Sequence, residues 1–219
     1  MGKKKLERYR EIKTLDFYYN ELTAPNGDWD RFVFHNKQPV VLELGCGYGD
    51  YTIALSRTYS SKNFVGIDLK SPRLYVGVRQ LNHDPLPNAA FLRCHVEFID
   101  QFFSKDEVDE IWVTFPDPFL KNGSENRRLT SAHFLDKYRQ ILKNGHTVNL
   151  KTDNQSLYEF TLDVLEAEGD TVEIIHNYDD IYALEERPES WNIKTNYEKR
   201  YLERGISIKL ISFKLFHKS

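Results

Sequence analysis

The sequence predicts an α/β protein built on a doubly wound, mostly parallel sheet, and three observations carry that prediction. Val40-Val41-Leu42-Glu43-Leu44 is an apolar, β-branched run too short for a helix, and Gly45, Gly47 and Gly49 follow it at alternate positions. A second such run, Asn63-Phe64-Val65-Gly66-Ile67, ends in Asp68, 21 residues after Gly47. Beyond it, strand-like and helix-like segments alternate, the pattern of βαβ units. The expected architecture is Rossmann-like. It has about seven strands and helices on both faces, and its C-terminal strand is antiparallel.

Taken in order, residues 4–22 read as one or two helices rich in Tyr and Phe, ended by Pro25-Asn26-Gly27. Strands are expected near 40–44, 63–68, 90–95, 110–115, 146–151 and 171–176. Helices are expected near 50–58, 72–81, 97–103, 131–143 and 155–168. Ile206 to Phe216 alternates apolar and polar residues and reads as the last strand, reached through a long insertion, 177–204, with room for a short helix. A single domain over 1–219 with a basic, aromatic helical extension over 1–30 fits this length.

A glycine turn between a strand and a helix is where nucleotide-type cofactors sit, because the backbone there approaches a ligand without an intervening Cβ. A dinucleotide site would carry a third glycine where Asp50 stands. Asp50 and Glu43 place negative charge where a pyrophosphate would need amide donors. That pair suits a cationic ligand without phosphate, such as S-adenosylmethionine. Asp68, at the end of the second strand, stands where a carboxylate accepts both ribose hydroxyls. The alternatives are an ordinary turn with Asp50 as N-cap, and Asp68 as cap of the helix near Ser71-Pro72.

Composition restricts the function classes. Hydrophobic residues make up 40%, with 14 Phe and 13 Tyr, enough for a core. There is no run of 18 apolar residues and no apolar signal region behind Met1-Gly2-Lys3-Lys4-Lys5-Leu6, and Leu6 does not match a myristoylation motif. Two cysteines, Cys46 and Cys94, make neither a zinc site nor a disulfide framework, so no metal and a cytoplasmic setting are expected. A net charge of −3 argues against indiscriminate nucleic-acid coating, yet positive charge clusters in 1–13, 121–128 and 194–204, while 163–190 is acidic. Singly, each basic cluster is a solvated face. Converging, they would form a phosphate-binding rim.

A second site is suggested by Glu110-Ile111-Trp112-Val113-Thr114-Phe115-Pro116-Asp117-Pro118-Phe119, a strand followed by a turn whose two prolines restrict Asp117. Another strand ends in Leu150-Lys151-Thr152-Asp153, bringing up a further carboxylate, and Lys121 is close in sequence to the first.

The order of these motifs resembles the tRNA (guanine-N7)-methyltransferase family of S-adenosylmethionine-dependent enzymes. The matching residues are Glu43-Leu44-Gly45-Cys46-Gly47, Asp68, Pro116-Asp117-Pro118 with Lys121, Arg127-Arg128-Leu129-Thr130, Lys151-Thr152-Asp153 and Thr195-Asn196-Tyr197-Glu198. The resemblance implies methyl transfer to N7 of guanosine 46 in the tRNA variable loop. Glu43, Gly45, Gly47 and Gly49 would hold the methionine part of the cofactor and Asp68 the ribose. Asp117, the catalytic candidate, would lie beside the methyl group. Lys121, Asp153, Thr195, Tyr197 and Glu198 would hold the guanosine, and Arg127 and Arg128 the tRNA. Two departures are visible. His95 stands where relatives have an acid or amide contacting adenine, and the basic run after Pro118 is diluted by Asn122, Gly123, Ser124, Glu125 and Asn126.

Guanine N7 carries a lone pair and no proton, which agrees with the absence of an evident His or Cys catalytic pair. Asp153 and Glu198 are candidates for the paired N–H donors of the guanine edge, and Tyr197 for stacking on an unstacked base. Rival readings are a methyltransferase acting on an exocyclic amine, a tRNA-binding module without catalysis, and a dehydrogenase. The resemblance implies tRNA as the partner; no membrane association is expected, and a monomer or a homodimer is expected.

Overall fold

Strand β2 (Val40–Leu44) is buried at all five positions, including Glu43, and this is why it reads as a continuous apolar run rather than an alternating one. The computed structural model describes residues 3–121 and 123–218, with side chains from Lys5 onward. The parts of the basic N-terminus and of the 121–128 cluster that rest on the side chains of Lys3 and Lys4 and on Asn122 lie outside the described residues. Contacts group the chain into two compact units, one ending at Ser104 and one beginning at Lys105.

The first unit carries β1 (Tyr18–Asn20), β2, β3 (Asn63–Ile67) and β4 (Ala89–Arg93), all parallel, in the order β1-β4-β3-β2. Helices α2 (Asp50–Thr58) and α3 (Ser71–His83) connect β2 to β3 and β3 to β4. The expected helical stretch 4–22 is only partly helical. Helix α1 covers Lys3–Glu11 and a 3-10 turn Ile12–Thr14, and then Tyr18–Asn20 adds an edge strand to β4. Three residues give no periodicity to read, and their strand state comes from the β4 partner. The segment 97–103 is likewise a 3-10 turn, Val96–Gln101, with a kink at Phe98 rather than a helix. Trp29, fully buried, stacks on Phe103 at 5.0 Å and donates from Nε1 to the Phe102 carbonyl at 2.7 Å, tying residues 28–35 to the end of the unit.

The second unit carries β5 (Val108–Thr114), β6 (Leu142–Thr152), β7 (Val172–Tyr178) and β8 (Lys209–Leu215), in the order β5-β6-β8-β7. β5 and β6 are parallel, and β8 runs antiparallel to both neighbours, as the alternation over 206–216 suggested. β6 begins at Leu142, directly after α4 (Ala132–Ile141), so it is longer than expected. Helix α5 (Gln155–Glu168) is capped by Asn154, whose side chain accepts from the Leu157 amide at 2.9 Å. The 177–204 insertion holds a 3-10 turn (Ile181–Ala183) and two helices, α6 (Glu189–Asn192) and α7 (Asn196–Glu203). The described residues thus contain eight strands, one more than the sequence suggested, in an α/β arrangement of the expected class.

Glycine positions in the first unit are set by one ring. A Cβ on Gly49, Gly66 or Gly77 would lie 2.4, 2.7 or 2.7 Å from the Phe91 ring, so helices and strands approach as closely as they do only without side chains there. At Gly66 the same Cβ would meet Thr52 Oγ1 at 2.6 Å. Gly66→Val should therefore lower stability by about 2 kcal/mol or more, read as a fall in melting temperature. Gly169 combines φ 55° with ψ −131°, outside the left-handed helical region, so Gly169→Asn should also lower stability, by about 1 kcal/mol or more, although no atom crowds the position.

Candidate active site

In the first unit, Gly45, Gly47 and Gly49 all take positive φ, at 75°, 58° and 81°, so the alternate spacing is a conformational requirement. The amides of this turn are used internally. Gly45 and Cys46 donate to the Ile67 carbonyl at 2.8 and 3.0 Å, Gly49 donates to the Cys46 carbonyl at 2.9 Å, and Gly47 donates to Asp68 Oδ2 at 3.0 Å. A phosphate arriving here would find those four donors occupied. A Cβ on Gly47 would meet nothing nearer than 4.0 Å, so the turn is open on that side.

Two carboxylates frame the turn. Glu43 is 3% exposed, and its Oε2 accepts from the Thr52 amide at 2.8 Å and from the Thr52 hydroxyl. That bond ties the first turn of α2 to β2, and negative charge there complements the helix dipole. Gly49, not Asp50, occupies the N-cap position, and Asp50 is the first helical residue. Asp68 accepts from Gly47 with one oxygen and from the Lys70 amide at 2.7 Å with the other. Each oxygen keeps a lone pair for another donor. Burial pushes the Asp68 carboxyl above its ordinary value, against the pull of those two backbone bonds.

His95 follows β4 and caps the next turn, its Nδ1 accepting from the Glu97 amide at 3.2 Å. With Glu21, Asn26, Cys94, Phe98, Gln101 and Phe102 it lines a cavity of about 230 Å³. The Phe98 ring is half exposed there and lies 6.0 Å from the imidazole. Burial raises the Cys94 thiol to about 12, so Cys94 is an inert wall.

In the second unit, the Pro116-Asp117-Pro118 turn is bracketed by two residues in the left-handed region, Phe115 at φ 48° and Phe119 at φ 43°. Such backbone is costly for bulky residues and persists only where neighbours hold it. Asp117 is exposed on it. Arg128, expected at a phosphate rim, is placed differently. It is 9% exposed, and its guanidinium donates to the Pro118 and Phe119 carbonyls at 2.9 and 3.1 Å while lying over the Phe160 ring. Its charge braces the turn instead of meeting solvent. Arg127 and Lys121 are exposed, with Arg127 stacked over Phe119 at 4.4 Å.

Thr195-Asn196-Tyr197-Glu198 forms the start of α7. Thr195 is the N-cap and accepts from the Glu198 amide at 3.1 Å, as a capping box would begin. The Glu198 side chain does not reach back to close that box. It is fully buried and accepts from Lys151 Nζ and from the Tyr182 hydroxyl, both at 2.8 Å. Its second oxygen, Oε2, is buried with no hydrogen-bond partner. Tyr197 stays more than a third exposed. Asp153 is half-buried, and desolvation raises its carboxyl above the usual value although Lys209 opposes this. Sequence reasoning gave no role to Lys151, Tyr182 or Trp191. The available signal was a lysine inside the strand pattern Val148-Asn149-Leu150-Lys151, a position few lysines occupy without a buried partner. No cluster of His, Cys, Asp and Glu suited to a metal exists among the described residues, and no described helix is long and apolar enough to cross a membrane.

Residues 37–211 match a family model described as "Putative methyltransferase". The tRNA (guanine-N(7)-)-methyltransferase of Bacteroides fragilis is 39% identical over 223 residues, covering 98% of this chain and 87% of that protein. The protein of the same name from Porphyromonas gingivalis is 44% identical over 190 residues, 86% of this chain and 76% of its own. Among solved structures, the 16S rRNA methyltransferase KamB is similar with a TM-score of 0.63 at 15% identity, covering 85% of this chain and 92% of that one. A geranyl diphosphate C-methyltransferase from Streptomyces coelicolor, solved with S-adenosyl-L-homocysteine, is similar with a TM-score of 0.54 at 16% identity, over 84% and 74%. These last two likenesses concern the fold. The sequence matches over nearly the whole length, together with the glycine turn, Asp68 and the Thr195–Glu198 cap found in place, put this chain in the tRNA (guanine-N7-)-methyltransferase family.

Proposed function

We propose that this chain methylates N7 of guanosine 46 in the variable loop of tRNA, with S-adenosylmethionine as donor. The observation that carries the donor is the glycine turn whose amides at 45, 46, 47 and 49 are already bonded within the protein. It leaves an open backbone surface framed by carboxylates, which suits a cationic ligand lacking phosphate. Glu43, Gly45, Gly47 and Gly49 are assigned to the methionine part and Asp68 to the ribose hydroxyls. The His95–Phe98 cavity is assigned to adenine, where the imidazole can still bond through Nε2. When bound, the donor supplies a sulfonium methyl that the N7 lone pair takes, the carbon–sulfur bond breaking as the carbon–nitrogen bond forms.

Because N7 carries no proton, no residue has to act as a base. The task left to the chain is alignment and charge. Asp117, held by a rigid turn, is the proposed catalytic residue, and it also contributes to holding the donor. It stabilises the positive charge that develops on the guanine ring. Asp153 is assigned to the guanine N–H edge and Tyr197 to the base face, while Thr195 and Glu198, expected at the guanosine, are assigned to fixing the start of the helix that presents Tyr197, because Glu198 is fully buried against Lys151 and Tyr182. Lys121 and Arg127, with the basic N-terminal segment, are assigned to tRNA phosphates, and Arg128 to them through the turn it braces. The substrate implies a cytoplasmic setting. Incubating the purified chain with labelled donor and unmodified tRNA, followed by nucleoside analysis, tests the reading. An alkali-labile 7-methylguanosine at one variable-loop position is expected, and a product methylated on an exocyclic amine would overturn it.

Asp117→Ala should lower turnover at saturating donor by about 100-fold while donor affinity falls far less, by about threefold to fivefold, measured by single-turnover kinetics and calorimetry. Asp68→Asn should weaken donor binding by about tenfold, roughly the net worth of a hydrogen bond to a charged group. In the wild type, burial has raised the Asp68 carboxyl, so it takes up a proton at higher pH than an exposed aspartate. Ribose hydroxyls donate to the ionised form, so donor affinity should hold at neutral pH and fall as pH drops through that raised value, a fall absent in Asp68→Asn. Neutralising Lys3, Lys4, Lys5 and Arg8 together should flatten the salt dependence of tRNA binding by about three to four units of log–log slope.

A further inference from the structure

The Lys151 side chain is fully buried, and its ammonium has an acceptor for each of its three donors. Glu198 Oε1 lies at 2.8 Å, and the carbonyls of Trp191 and Ile193 lie at 2.9 Å each. These acceptors come from the end of α6, from the link after it and from the first turn of α7. The Tyr182 hydroxyl, from the 3-10 turn of the same insertion, shares the Glu198 oxygen at 2.8 Å. A single side chain on β6 thus gathers four points of the 177–204 insertion. The backbone of Lys151 acts on a different segment. Its carbonyl accepts from the Phe115 amide at 2.8 Å, two residues before Asp117 and at a residue held in the left-handed region. The Phe115 ring in turn stacks on Tyr201 of α7 at 6.1 Å.

We propose that Lys151 is a positioning residue for methyl transfer, fixing Thr195–Glu198 through its ammonium and the root of the Pro116–Pro118 turn through its carbonyl. The proposal rests on the roles given above to Asp117 and to the start of α7. Stability alone does not account for this arrangement, because a buried ion pair loses hydration that well-packed apolar residues would not lose. What the pair provides is a fixed register, because an ammonium with three acceptors on one insertion tolerates few other placements of that insertion. Lys151 also orients the Glu198 carboxylate by bonding Oε1, with Oε2 left over.

The groups facing the ammonium are Glu198 and Tyr182, with Lys194 and Arg187 as further charges from the insertion. Burial, together with the two cations, outweighs Glu198 and brings the ammonium down from 10.5 to about 8. Between those two values the unfolded chain binds more protons than the folded one, so this group makes folding more favourable as pH rises. Any alkaline loss of turnover from Lys151 therefore runs opposite to its effect on stability, and a purely structural lysine would not produce it.

Two measurements test the proposal. In Lys151→Met, turnover at saturating donor and tRNA should fall by about 100-fold with the donor KM within about twofold of wild type. A variant that melts cooperatively and turns over within about twofold of wild type overturns the proposal, as does one that changes only KM. Should the variant not fold, the wild-type pH profile decides. Turnover should decline about fivefold between pH 8 and pH 9 while the melting temperature holds, whereas a flat profile to about pH 9 removes Lys151 from the reaction. A wild-type chain that transfers no methyl group to tRNA at any pH would instead sink the function proposed above, so the two failures are distinguishable.

Discussion

The amide donors of the glycine turn are bonded inside the protein, and that constraint decides what the first unit can hold. In a phosphate-binding loop the same amides would point outward at the ligand. Here Gly45 and Cys46 share the Ile67 carbonyl, and Gly47 is bonded to Asp68, so the turn is tied to the end of β3. The tie has two effects. It fixes Asp68 relative to the turn, and it occupies the amides at 45, 46, 47 and 49 while each Asp68 oxygen retains acceptor capacity for a further donor. Glu43 extends the same logic into the interior, since it holds Thr52 and so anchors the helix that follows the turn. Gly66, paired with Glu43 across the β2–β3 ladder, makes the space in which Thr52 reaches that carboxylate.

The second unit is organised by buried charge instead of by glycine. Arg128 and Lys151 each direct a cation at backbone carbonyls, Arg128 at the Pro-Asp-Pro turn and Lys151 at the insertion. Loop carbonyls have no ladder to bond to and cannot be buried bare. A long side chain from a regular element supplies several donors at once and so makes an irregular segment single-valued. Arg139 does the same at the far end of β8. It donates to the Phe216 carbonyl and to Glu168, in a pair less than a tenth exposed on either side. In each case the charge serves placement, and removing one partner would leave a buried group unsatisfied.

Much of this was legible beforehand, and the failures have identifiable causes. Residues 40–49 and 63–68 are readable because apolar runs, obligatory glycines and a terminal acid are all local signals. Helix 155–168 is readable from its period, and the structure adds the Asn154 cap that starts it. Tyr18–Asn20 is not, because a three-residue edge strand exists only by pairing with Phe91–Arg93. Arg128 looked like its neighbour Arg127. Which of two adjacent arginines turns inward depends on Phe160 and on the carbonyls at 118 and 119, and nothing in the spacing encodes that. The Thr195–Glu198 motif was recognised, but the direction of its glutamate was not, because a capping box and a buried ion pair begin with the same letters.

From the sequence alone came the strand–turn–helix units, the acids at strand ends and the chemistry they suit, because each depends on residues close together along the chain. Only the tertiary structure decided which carboxylates remain available and which are already bonded. The same holds for cations, where it separates those facing solvent from those bracing loops. That division is set by partners far along the chain, such as Tyr182 to Glu198, 16 residues apart, or Lys151 to Glu198, 47 apart. A buried polar atom takes whichever partner the packed chain brings within reach, and the pattern of letters around it does not carry that information.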